Sequence, residues 1–316
     1  MSAISKVKPR PIRPGDRVGI VSTSSPVTPD QLERLTGYFR GRGYGVRVAD
    51  GVCASTGYLG GSAARRASGV REMFAAPDIA LVLPATGGTG ASHLVDMLDY
   101  RTIRRSRKLF AAFSNPTVLN NSILAGAGLA TVHGTSGVDF FQKEQEPGTE
   151  CAFWDMISGP VTGFQVAGPD WRVYRNCGRR VSGPVMGGNL TAFQSLAGTA
   201  WMPPTASAIL LLEAMTATYE QVDAALSQLR LAGVFEDIAA LVIGAPADWD
   251  HRDAPDADTD ELILRCVGGT FPVITNVACG HQPRRIQLPV GCAVEFDFTG
   301  LCPALRYLED LVDVDG

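Results

Sequence analysis

Three side chains in the 316-residue sequence stand where acyl-transfer chemistry would need them. Ser114 closes the apolar run KLFAAFS (108–114) and is followed by Asn115 and Pro116, the latter suited to a first helical turn. A serine at such an elbow has its hydroxyl lifted above the sheet, with the next backbone N–H and a helix N-terminus at hand to stabilise an oxyanion. Read alone, Ser114 is equally a helix N-cap, and the flanking glycines of a G-x-S-x-G elbow are replaced by Ala112 and Pro116. Glu213 ends the apolar run AILLLEA, where a carboxylate is either exposed at the strand end or paired. Its natural partner is a histidine, and the chain has four. His93 falls in an amphipathic stretch and His251 in the charged loop WDHRDAPDAD, both read as surface. His133, in ATVHGTSG, either lines a cleft or is simply hydrogen-bonded within it. His281, in NVACGHQPRR, follows the run FPVITNV in the kind of loop that positions functional groups.

The turn Thr86-Gly87-Gly88-Thr89-Gly90 follows a second buried run, IALVLPAT (79–86), so its N–H groups can cradle an anion or supply an oxyanion donor. It lacks G-x-G-x-x-G spacing and a P-loop lysine, and a plain tight turn explains it as well.

These residues need a scaffold, and the pattern supplies one. Strand-like runs at 17–25, 44–50, 79–86 and 108–114 alternate with helix-like stretches at 28–41, 62–75, 91–99 and 116–128. Repeated βα units predict an α/β fold with a doubly wound, mostly parallel sheet, ligands binding beyond the strand C-termini. The rhythm lapses from 142 to 182, which is read as a connection with short strands. It resumes with GGNLTAFQSLAGT (187–199), strands at 206–214 and 238–246, a helix at 219–233 and a hairpin-like 288–298. The expected organisation is an N-terminal α/β domain (1–145), a connection (146–182) and a second, strand-richer α/β domain (183–316), in keeping with a chain about twice the usual domain length.

Composition narrows the function. The formal charge is −4, with 45% hydrophobic and 19% charged residues, and no basic cluster is longer than a pair such as Arg284-Arg285 or the scattered stretch from Arg101 to Lys108. That excludes an electrostatic footprint for nucleic acid or an anionic membrane. No apolar run approaches the roughly 18 residues of a membrane span, and the start of the chain lacks a signal-type apolar stretch, so the expected location is the cytoplasm. The seven cysteines (53, 151, 177, 266, 279, 292 and 302) show no C-x-x-C pair and no histidine at metal spacing, and read as reduced thiols with no metal site. The acidic runs DADTDE (256–261) and EDLVDVD (309–315) read as solvated surface and fraying.

In order along the chain, RPGDRVGIVSTSSP, LVLPATGGTGASHLVDMLDY, KLFAAFSNPTVLNNSILAGAGLATVHGTSG, GGNLTAFQSLAGT, ILLLEA with YEQVDAALSQLRLAG, and GHQPRRIQLPVG together resemble the LD-carboxypeptidase family of serine peptidases, which includes the microcin C immunity peptidases. The resemblance implies a Ser–Glu–His hydrolase with Ser114 as nucleophile, Glu213 as acid and His281 as base, the oxyanion hole formed by the backbone N–H of Asn115 and of Gly87 or Gly88. It also implies a homodimer, no cofactor and a peptidoglycan tetrapeptide cut at an L–D bond. The sequence departs from the family where Thr86 and Thr89 replace an arginine and a tyrosine, Asn115 an aspartate and Ala214 an acid. Specificity is therefore expected to have shifted, toward another small peptide or an amide-bearing metabolite such as an aminoacyl-nucleotide, with Thr86, Thr89 and Trp171 in contact with it. Trp154 and Trp171 are equally read as buried or interface residues. Two alternatives stay open: an acyl transferase or cyclase using the same acyl-enzyme, and a catalytically inactive small-molecule binding homologue.

Overall fold

The computed structural model describes residues 5–141, 146–175, 180–246 and 258–314. His251 and Cys177 lie outside the described residues.

Five strands open the fold: β1 (Arg17–Val21), β2 (Gly45–Val48), β3 (Ile79–Pro84), β4 (Leu109–Ala112) and β5 (Thr131–His133). They lie in the parallel order β2-β1-β3-β4-β5. Between them run α1 (Pro29–Gly41), α2 (Ala63–Ala75), α3 (Tyr100–Ser106) and α4 (Thr117–Ala127), with a 3-10 turn at Ala91–Met97 where an α-helix is expected from the sequence. The helix starts were legible. Thr28 and Gln31 close a capping box on α1, and Ser62 accepts from Arg65 N at the head of α2.

The stretch read as a connection contains a twelve-residue helix, α5 (Pro147–Ser158), before β6 (Gln165–Ala167) and β7 (Arg172–Tyr174). Then follow β8 (Arg180–Asn189), α6 (Leu190–Gln194), β9 (Ile209–Glu213), α7 (Tyr219–Leu231), β10 (Ala240–Gly244), α8 (Thr259–Val267), β11 (Val273–Val277), β12 (Leu288–Val290), β13 (Ala293–Asp297) and β14 (Ala304–Tyr307). The segment 288–298 is not the expected hairpin. β12 pairs with β5 and β8, whereas β13 pairs with β8 and β14, so the two strands diverge to different partners.

That divergence makes one sheet of the whole molecule, in the order β2-β1-β3-β4-β5-β12-β8-β9-β10-β11-β7, with β12 antiparallel to β5 and β7 antiparallel to β11. Both faces are covered, so the central strands are fully buried: β4 and β9 read as unbroken buried runs, LFAA and ILLLE. The acidic runs are also more than surface. Asp258 caps α8 through Asp260 N and Glu261 N, and Asp260 accepts from the Tyr174 hydroxyl at 2.7 Å. Near the end of the chain, Glu309 pairs with Lys6 and Asp310 Oδ1 accepts from Val161 N and Thr162 N, while Leu311 and Val312 are buried.

Candidate active site

Sheet register decides which side chains meet. Ala112 is level with His133 across β4–β5, and His133 is level with Leu288 across β5–β12. The residue two beyond Ala112 and the loop leading into Leu288 therefore emerge at the same edge. Those are Ser114 and the loop bearing His281. On the other flank Asn189 is level with Glu213 across β8–β9, where both strands end.

Ser114 has φ +63°, the left-handed region that a non-glycine residue enters at a cost of roughly 1–3 kcal/mol. The chain can turn from β4 into α4 there because Thr117 N bonds to Ser114 O at 2.9 Å. Glycine 87 lies directly against it: a Cβ at that position would fall 2.8 Å from Ser114 Cβ and 2.9 Å from its Oγ. Gly88, at φ +106°, completes a turn whose neighbour Gly87 O accepts from Ser25 N at 3.1 Å. The Asn115 side chain faces inward, its Oδ1 accepting from Ser24 Oγ and Ala91 N, both at 2.9 Å. It thus ties the elbow to the strand loop and glycine turn beside it. Arg66, almost fully buried, supports the turn from behind by donating to Gly90 O at 2.8 Å and to Thr23 O.

Glu213 is 1% exposed and both its carboxylate oxygens are engaged. Asn189 Nδ2 donates to Oε1 at 3.1 Å, and His281 Nδ1 lies 2.7 Å from Oε2. A carboxylate can only accept, so the Nδ1 proton points at Glu213 and Nε2 is left as the basic nitrogen. The approach depends on two glycines: Cβ atoms at Gly244 and Gly280 would fall 2.7 Å from Glu213 Cβ and 3.1 Å from its Oε2. Phe113 fills the space behind, its ring centroid 4.4 Å from that of His281 and 5.4 Å from that of His133. His133 is fully buried, and Cys279 O, two residues before His281, lies 3.2 Å from its Nε2. Burial pulls the His133 pKa below its ordinary value and pushes the Cys279 thiol well up.

Ser114 and His281 line one cavity of about 370 Å³, together with Thr86, Gly87, Gly88 and Arg285. Of the expected contact residues, only Thr86 is part of this wall. Thr89 is exposed outside it, its N–H 3.4 Å from Ser25 Oγ. Trp171 is not in the cleft either: at 8% exposure its indole is packed over the Gly168 turn and against Phe296, centroids 5.7 Å apart, and it lines a different, smaller pocket. Trp154 stacks on Tyr44 and donates to the Tyr38 hydroxyl at 3.0 Å. The sequence reading missed Asn189, which its place level with Glu213 reveals, and the buried pair Arg285–Asp139, which no local signal marks. Among the described residues no group of three His, Cys, Asp or Glu side chains is arranged to hold a metal ion, and no helix is long and apolar enough to cross a membrane.

Known families fit the same two halves of the chain. Residues 18–134 match the LD-carboxypeptidase N-terminal domain and residues 182–296 the LD-carboxypeptidase C-terminal domain. The chain belongs to the LD-carboxypeptidase family. Within that family it is 26% identical to a putative carboxypeptidase of Vibrio cholerae, the match covering 90% of this chain and 93% of that one. It is 26% identical to the probable murein peptide carboxypeptidase of Bacillus subtilis (90% and 89%) and to the microcin C7 self-immunity protein of Escherichia coli (94% and 96%). The solved structure of the microcin C7 self-immunity protein superposes with a TM-score of 0.87 at 23% identity over 97% of this chain and all of that one, which establishes the shared mixed α/β fold. That protein has been seen with glutamyl sulfamoyl guanosine and with aspartyl sulfamoyl adenosine. The muramoyltetrapeptide carboxypeptidase of Oxalobacter formigenes superposes with a TM-score of 0.82.

Proposed function

We propose that the protein is a serine hydrolase that cleaves an amide bond in a small peptide or amino-acid conjugate through Ser114, His281 and Glu213. The observation that supports this most is the pairing of a left-handed serine at a strand–helix elbow with a histidine in the same cavity, its far nitrogen held by a buried carboxylate. In this reading Ser114 Oγ attacks the substrate carbonyl while His281 Nε2 takes its proton, and the imidazolium is stabilised by Glu213. The backbone N–H of Asn115 and that of Gly87 or Gly88 receive the developing oxyanion. Collapse breaks the C–N bond, His281 hands its proton to the leaving amine, and water then hydrolyses the acyl-serine ester with His281 as base again. Every group in this sequence is a side chain or N–H of this chain, so it needs no cofactor.

The relatives point to two substrate kinds: murein peptides, from the carboxypeptidases, and aminoacyl sulfamoyl nucleosides, from the ligands seen on the microcin C7 self-immunity protein. The uncharged Thr86 in the cleft wall and the placement of Thr89 outside it favour a specificity shifted from the murein peptides. Incubating wild type and Ser114→Ala with muropeptides and aminoacyl-sulfamoyl adenosines, beside labelling with a fluorophosphonate, tests the reading. Labelling and turnover in the wild type, both absent in Ser114→Ala, are expected. Equal turnover by the two proteins removes Ser114 as nucleophile, and no turnover together with no labelling identifies an inactive binding homologue.

A further inference from the structure

We propose that Arg285, held by Asp139, is the carboxylate anchor of the cleft and selects substrates bearing a free carboxylate close to the scissile amide. This rests on the reading above only in taking the cavity that Ser114 and His281 line as the substrate site. Among the described residues lining that cavity Arg285 is the one lysine or arginine. Its side chain is nevertheless only 6% exposed, and it lines the cavity together with Asp139 and Ser136. A charge so placed must be paired. Arg285 Nη2 lies 2.8 Å from Asp139 Oδ1, and Asp139 Oδ2 accepts from Ser136 N at 2.7 Å and from Ser136 Oγ at 2.8 Å.

Asp139 is thereby fully engaged, whereas Arg285 is not. A guanidinium has five N–H donors. Nε is buried without a partner. Unmade bonds on a buried charged group are costly, so the fork is predisposed to an acceptor entering the cavity. It is also held still for one. The guanidinium lies 4.6 Å over the Phe113 ring, next to Ser114 in the chain, and the Arg285 backbone N–H is fixed at 2.9 Å by Thr149 Oγ1. A carboxylate suits this setting better than a phosphate. The Arg285–Asp139 pair is neutral overall and both groups line the cavity, so any anion meets the Asp139 carboxylate as a like charge, a dianion about twice as strongly as a single carboxylate.

The test is equilibrium binding by calorimetry, which does not depend on turnover. The probes are N-acetylalanine, its neutral analogue N-acetylalaninamide, the α-amide of N-acetylaspartate, whose only carboxylate is on the side chain, and inorganic phosphate. Wild type is expected to bind one of the two carboxylates about 10- to 100-fold more tightly than the neutral amide, as charge-assisted hydrogen bonds imply. Whichever carboxylate wins identifies its source as the chain end or the side chain. Arg285→Met, close in volume, is expected to reduce the preference to within about threefold, and Arg285→Lys, which keeps the charge but not the fork, to retain part of it. Melting curves of both variants show whether they fold, and Arg285→Lys serves alone if Arg285→Met does not. A wild type without preference, a preference surviving Arg285→Met, or tighter binding of phosphate overturns the proposal. An intact preference in a wild type that neither turns over any substrate nor takes the fluorophosphonate label would overturn the hydrolase reading and leave the anchor standing.

Discussion

On one side of the cleft Ser114 takes its geometry from residues close to it in sequence and from one glycine turn: β4 ends at Ala112, α4 begins five residues later at Thr117, and Gly87 lets the turn approach. On the other side His281 is held by groups from widely separated stretches: Glu213 on its ring, Asn189 behind the glutamate, His133 on the carbonyl two residues upstream, and Thr149 on the backbone four residues downstream. The first wall is a local device and the second an assembled one. Damage to the first should therefore cost activity with little stability, while damage to the second should cost both.

The largest effect tests the point where the walls cooperate. Glu213→Gln keeps the shape but cannot accept the Nδ1 proton with a charge, and by analogy with the loss of the triad acid elsewhere should lower kcat by about 10³- to 10⁴-fold. Steady-state turnover at matched substrate measures it, and a loss under tenfold would remove Glu213 from the mechanism. Next comes Gly87→Ala. Its methyl would sit 2.9 Å from Ser114 Oγ, a contact that must displace Ser114 or the turn. A roughly 100-fold fall in kcat/KM with an unchanged melting temperature is expected, as for other misplaced reacting groups. A melting point lowered in proportion would mean that this wall is not local after all.

Thr149→Val probes the assembled wall from furthest away. Thr149 Oγ1 accepts from Arg285 N at 2.9 Å and donates to Pro283 O at 3.2 Å, so valine leaves the buried Arg285 N–H unsatisfied, while Pro283 O keeps its bond from Glu146 N at 3.0 Å. About 2 kcal/mol of stability should be lost, with a several-fold fall in activity, since the histidine loop loosens with it. Denaturant titration beside kinetics checks both, and an effect on one alone breaks the comparison.

The same contrast explains what could be read from the sequence. Ser114, Gly87 and Gly88 were legible because strand, turn and helix signals lie within a few residues of them, and the helix starts at Thr28 and Ser62 for the same reason. Glu213 and His281 were legible as types in suggestive places, but their 2.7 Å contact follows from strand order, which no local pattern encodes. The α5 helix went unseen because its stretch is rich in Gly, Pro and charge, yet its Thr149 positions the histidine loop. Trp171 is open in the sequence between a stacking and a buried reading. An aromatic in a loop suggests a stacking platform, and here the Gly168 turn and Phe296 bury it. Likewise the C-terminal acids bind partners far away in the sequence, Glu309 reaching Lys6 and Asp313 reaching Arg107, pairs that charge patterning alone cannot foresee.

The smallest effect separates the two walls by pH. His133 is fully buried, with its pKa pulled below the ordinary 6.5 chiefly by desolvation, Glu213 opposing and His281 and Arg285 assisting. Its folded form therefore stays neutral where the unfolded chain takes up a proton. Stability from this group is complete above the unfolded pKa and is lost as pH falls through and below it, since the unfolded state then binds more protons. Between about pH 6.5 and about pH 5.5 stability should fall, by no more than the roughly 1.4 kcal/mol per pH unit that one proton allows. His133→Gln, which can still donate to Cys279 O but cannot titrate, should flatten that slope in urea titrations, whereas Ser114→Ala should leave it as in wild type. A slope unchanged by His133→Gln would mean that the histidine beneath the assembled wall is charged in the folded protein, and that Cys279 O is not what keeps its proton on Nε2.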